Sequence, residues 1–113
     1  MTTAADRARH IRQSITNIQY GLGGLDVDTA QSLGLQWSGF IYELLVISEA
    51  SRHLPDEWKA EFGPDINWRQ MADLGNRLRH GYHRNNTTIL WAIFQNDLPK
   101  LEAAIDRMLA ARG

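Results

Sequence analysis

The chain has 113 residues, of which 43% are hydrophobic and 22% charged, with no cysteine and a formal net charge of −1. That length supports one small hydrophobic core, and residues 1–113 read as a single domain. The charge balance excludes a bulk positive field for nucleic acid, so any such contact must come from a local patch or from pairing two chains, and the missing cysteine excludes disulfides and thiol chemistry.

The opening MTTAADRARH carries no apolar run and does not read as a secretory signal. The apolar stretch from Phe40 to Ile47 is interrupted by Glu43 and is too short to span a bilayer. A cytoplasmic protein with no membrane association is expected. Residues Thr3 to Tyr20 read as the first helix, because Ile11, Ile15 and Ile18 recur on one face. Gly21 to Gly24 break it, and Asp26 or Asp28 caps the next helix by accepting the free amide hydrogens of its first turn. This second helix is expected from Thr29 to about Leu54. Its row of Leu33, Trp37, Phe40, Leu44, Ile47 and Leu54, with Ile41 and Leu45 beside it, implies more than one neighbour. Glu49 reads as a solvated carboxylate near its end.

Pro55 to Pro64 form a connector with a helical turn at Asp56 to Phe62, and Asp65 or Asn67 caps a third helix from Trp68 to His80. Met71, Leu74 and Leu78 make its core face. At about 100° per residue, Arg69, Asp73, Asn76 and His80 fall within roughly 60° of one another on another side. The His80 side therefore faces solvent, a substrate or a second subunit. His83 to Thr87 reads as a polar loop, and Thr87 or Thr88 caps a fourth helix carrying Ile89, Leu90, Ile93 and Phe94. Asp97 followed by Pro99 reads as a new helix start. One kinked helix or two from Leu90 to Ala111 both fit the pattern. No stretch alternates as a strand does, so the fold class is all-α: an up-and-down bundle of four to five helices.

The segment Asp73 to Arg84, DLGNRLRHGYHR, concentrates the chemistry. Gly81 is a helix stop, since glycine tolerates the left-handed conformation found there. Arg77, Arg79 and Arg84 crowd around His80, whose imidazole titrates near neutrality. Taken alone, His80 is a capping histidine favoured by the helix dipole, the arginines are a solvated basic face, and Tyr82 is a packed aromatic. His80 and His83 stand three apart, yet no carboxylate cluster accompanies them, so no metal or other cofactor is expected. Trp37, Trp58, Trp68 and Trp91 sit in apolar helical patterns and read as packing anchors.

Four landmarks in this order, LLVISEASRHL from Leu44, INWRQMADL from Ile66, NRLRHGY from Asn76 and ILWAIFQNDLPKLEAAI from Ile89, carry a resemblance. Together they resemble the HepT-like family, ribonuclease toxins of toxin–antitoxin systems within the HEPN superfamily, over nearly the whole chain from Ile11 to about Met108. The resemblance implies a HEPN-like helical homodimer that cuts RNA without a metal, using an arginine, four intervening residues, a histidine, one residue and a tyrosine. It implies an MntA-like nucleotidyltransferase antitoxin as partner, which modifies the tyrosine with AMP. Carried over, the histidine is His80, the tyrosine is Tyr82, and the polar residue after the arginine is Asn76. The arginine position itself holds Gly75, and Leu74 and Asp73 precede it.

The roles come from the reaction. His80 moves a proton while the adjacent 2′-hydroxyl attacks the phosphate, and a guanidinium stabilises the phosphoryl oxygens. Three accounts of Gly75 stand open: a natural residue with Arg77 or Arg79 standing in, a degenerate homologue that only binds, or an engineered replacement. They give two principal expectations, an endoribonuclease toxin with Arg77, Arg79 and Arg84 on RNA phosphates, or a catalytically silent module for the nucleotidyltransferase or RNA. A nucleotide-binding helical domain is a third.

Overall fold

The computed structural model describes residues 1–81 and 87–113. Its first helix, α1, runs over Ala4–Leu22. Thr3 and Asp6 close its start reciprocally: Thr3 Oγ1 accepts from the Asp6 amide at 3.1 Å, and the Asp6 carboxylate accepts from the Thr3 amide at 2.9 Å. The Thr3 amide, then the Arg9 guanidinium, hold the Asp6 carboxyl well below the usual carboxylate range.

The expected second helix is two. α2 spans Val27–Ser32 and α3 spans Gly34–Arg52, with Leu33 between them at φ −85°, ψ 78°. Asp26, not Asp28, caps α2, its carboxylate accepting from the Thr29 amide at 2.8 Å. That bond lowers the Asp26 pKa. Leu33, first in the expected apolar row, is itself the break, and the row joins the core from Trp37 onward; the Trp37 amide donates to the Leu33 carbonyl at 2.8 Å. α4 spans Asp56–Phe62, as the expected turn in the connector. α5 spans Trp68–Arg79; Asn67 is its cap, accepting from the Gln70 amide at 3.0 Å.

The last part of the chain is neither one simply kinked helix nor two. α6 spans Thr87–Ala92 and α7 spans Leu98–Arg112, joined without a break by a π-helical turn over Ile93–Asp97. Asp97 keeps helical dihedrals and makes no side-chain cap. The Leu98 amide reaches back five residues to the Ile93 carbonyl. This wider turn lies immediately before Pro99, whose ring would crowd an ordinary α-helical turn and which has no amide to donate.

α1 packs on α3 and α7, α3 also on α5, and α4 on α7. One buried cluster joins them through Ile11, Ile15 and Ile18, Phe40, Leu44 and Ile47, Met71, Leu74 and Leu78, and Leu101, Ile105 and Met108. Trp37 and Trp91 are anchors as expected, stacked at 6.3 Å between ring centroids with Phe40 and Phe94 against them. Trp58 and Trp68 pack on the same cluster. Arg12 bridges α1 to α7, meeting Glu102 and Asp106 at 3.0 Å each. Among the described residues there is no strand, and no helix is long and apolar enough to cross a membrane.

Candidate functional site

The apolar spacing of α5 decides which of its residues reach the site. Met71, Leu74, Gly75 and Leu78 are buried, while Arg69, Asp73, Asn76, Arg77, Arg79 and His80 are exposed. His80 therefore points away from the core, as its place on the helical wheel requires. It is the C-cap of α5, with its amide on the Asn76 carbonyl at 3.2 Å. Gly81 comes next at φ 79°, the left-handed stop read from the sequence. Among the described residues no hydrogen bond or ion pair occupies the His80 imidazole. The carbonyl end of α5 is the negative end of its dipole, and it carries Arg77, Arg79 and His80 in or next to its last turn.

Gly75 lies on the other side, in the seam between α5 and α3. Its amide donates to Ser48 Oγ at 2.9 Å, and that hydroxyl donates in turn to the Ala72 carbonyl at 2.9 Å. A Cβ at position 75 would stand 2.9 Å from Ser48 Oγ and 3.4 Å from Ser48 Cβ. The seam is thus closed around a residue with no side chain. The nearest cation to that point is Arg79, whose Nη1 lies 3.5 Å from it. Arg79 Nη2 donates to Asn76 Oδ1 at 2.9 Å. Asn76, Arg79 and the edge of Gly75 are therefore together, one residue from His80. Arg77 turns along the helix instead, with Nε 3.2 Å from Asp73 Oδ2. Tyr82 and Arg84, like His83, fall outside the described residues.

Sequence reading did not single out Ser48 or Arg52. Both lie on α3, one helical turn apart, and both reach the Ala72 carbonyl, Arg52 through Nη1 at 3.4 Å. Their signal was the spacing of SEASR within the first landmark. Glu49, between them, is exposed as expected and pairs with His53 at 3.1 Å. Among the described residues no three His, Asp or Glu side chains gather as a metal site would need.

The profile described as "Ribonuclease HepT-like" matches residues 11–108. The chain belongs to the HepT-like ribonuclease family. It is 32% identical over 68 residues to a Thermococcus cleftensis protein named "Probable ribonuclease HepT", covering 60% of this chain and 61% of that one. It is 33% identical over 66 residues to a Methanocaldococcus jannaschii protein named by inference as an RNase, covering 58% and 60%. The matches thus span about three fifths of the length of these two relatives. A third protein, named by inference as an RNase in Caldanaerobacter subterraneus, is 24% identical over 96% of both chains. No solved structure matches the chain.

Proposed function

We propose that this HepT-like chain is a metal-independent endoribonuclease, the toxin of a toxin–antitoxin pair, in which Arg79 takes over from the arginine that Gly75 lacks. The observation that carries this reading is the tether of Arg79 to Asn76, which holds a guanidinium beside Gly75, on the residue that precedes the exposed His80. In the reaction, the 2′-hydroxyl oxygen attacks the adjacent phosphorus and the bond to the 5′ oxygen breaks. A 2′,3′-cyclic phosphate and a 5′-hydroxyl result. One imidazole accepts the proton of the 2′-hydroxyl and another supplies one to the departing oxygen, which is the reason for proposing a homodimer with one His80 from each chain. The Arg79 fork stabilises the phosphoryl oxygens as charge builds on them. An MntA-like nucleotidyltransferase is the proposed antitoxin, with Tyr82 as the acceptor of AMP.

Cleavage of labelled RNA by the purified chain, in excess chelator, tests this. His80→Ala is expected to abolish cutting, and Arg79→Ala to slow it about 10²- to 10³-fold, the usual cost of losing one charge stabiliser. Equal rates for Arg79→Ala and the parent overturn the stand-in role; equal rates for His80→Ala overturn the assignment of the proton carrier.

The burial of Gly75 against Ser48 favours a second reading, a silent module that binds the nucleotidyltransferase through the end of α5. It predicts a stable complex with that partner and no RNA cleavage by the parent.

A further inference from the structure

The polar side of α5 borders a groove of about 830 Å³, walled also by the end of α3 and by α4. Four cations line it, Arg52, Lys59, Arg69 and Arg77, against two carboxylates, Asp56 and Asp73. On a chain of net charge −1 this is a local excess of positive charge. Among the described residues, neither Arg52 nor Arg69 belongs to an ion pair. Arg52 uses one nitrogen on the Ala72 carbonyl. Lys59 is largely covered, its side chain 16% exposed, with Asp56 at the long distance of 3.9 Å and the Trp68 ring centroid at 5.9 Å. Arg52, Lys59 and Arg69 are held towards one concavity and are incompletely neutralised.

The groove reaches Asn76, which lies about one helical turn before His80 on the same exposed side of α5. From Arg69 to His80 the helix rises about 16 Å. A ligand lying along it has to be an extended polyanion with one anionic group at His80 and others at intervals up the helix. Arginine forks suit phosphate oxygens, which accept two parallel hydrogen bonds. We propose that this groove is a binding track for the sugar-phosphate backbone of single-stranded RNA, with Arg52, Lys59 and Arg69 contacting phosphates on one side of the scissile bond. The proposal rests on the reading of the chain as RNA-cleaving and gives that site its substrate polarity: the strand leaves His80 over α4, not over α1 or α7.

The test is salt-dependent binding of a labelled 2′-O-methyl RNA strand, which lacks the attacking hydroxyl and stays intact on the protein. The parent should bind with an affinity that falls as salt rises. Arg69→Gln should make the slope of log K against log salt shallower by about 0.7, and Arg52→Gln with Arg69→Gln by about 1.4, since each phosphate contact in a single strand contributes roughly that much. Arg9→Gln, an α1 residue outside the groove, should leave the slope as it is. Arg69 is exposed with no structural bond to lose, so its single variant decides the matter even if the double variant does not fold. An unchanged slope in Arg69→Gln, or no binding by the parent, overturns the track. So does equal binding of polyglutamate or of duplex RNA. A parent that binds with the expected slopes but cuts no cleavable RNA retains the track and overturns the nuclease reading.

Discussion

Two helix crossings in this protein are built by opposite means. Where α1 meets α7, bulky side chains fill the space: Ile11, Ile15, Ile105 and Met108 are fully buried, and Arg12 ties the outside to Glu102 and Asp106. Where α3 meets α5, part of the seam has almost no side chain. Ser48 and Gly75 bring the backbones together, and one hydroxyl serves the amide of Gly75 and the carbonyl of Ala72. The first crossing draws its stability from apolar burial, which is tolerant of direction. The second depends on a close approach and on hydrogen bonds with fixed geometry. The helix that bears the candidate site is held partly by the second kind.

The largest expected effect breaks the first crossing. Ile105→Ala removes fully buried methyl groups and should cost about 2–5 kcal/mol, read as a lower midpoint in urea. A loss below about 1 kcal/mol would mean that this crossing is not the stabilising one. Next comes the second crossing. Gly75→Ala gains up to about 1 kcal/mol of helix propensity but places a methyl 2.9 Å from Ser48 Oγ, and overpacking of this kind costs about 1–3 kcal/mol. A net loss of stability is expected. Ser48→Ala alone should also lose stability, through the two hydrogen bonds of its hydroxyl, but it removes the atom that the new methyl meets, so the double variant should lose less than the sum of the two single ones. Additive losses would show that the contact between them is not what limits position 75. The smallest effect is at the exposed starts of α1 and α2. Asp6 and Asp26 have pKa values below their ordinary ones, so the folded state binds fewer protons than the unfolded chain. Their contribution is present above the ordinary carboxylate value near 4 and is lost as the pH falls through the lowered ones. Asp26→Asn keeps the cap without the charge, and its melting temperature should depend less on pH than that of the parent over this acid range.

What could be read from the sequence divides along the same line. The bulky crossing was legible because isoleucine and leucine spacing reports a buried face directly, and the α1 stripe, the Met71–Leu74–Leu78 face and the aromatic anchors all lie where that spacing puts them. The break at Leu33 was not legible, because the residue at the break is itself apolar and fits the spacing of the row that follows it. The π-helical turn was hidden for a similar reason: Asp97 and Pro99 carry the signature of a helix start, but a widened turn accommodates the proline without a stop. At the site, the exposure of Asn76 and His80 followed from the wheel, and so did Gly81 as terminator. Gly75 was read as the position of an arginine, on the strength of motif spacing. Its place one turn after Met71 and one before Arg79 already put it at the margin of the apolar face. What no sequence pattern reports is how near α3 comes, since that depends on a serine hydroxyl 27 positions away.

That hydroxyl also acts as a locating pin. Were α5 to slide along α3 by a turn, the buried Ser48 hydroxyl would lose both of its partners at once, a loss of about 1–3 kcal/mol for one stranded group. The height of the imidazole at the end of the rod is therefore set by a peg and a notch some way below it. A chain that filled the notch with a larger residue would have to re-seat the whole rod before its tip stood at the same height.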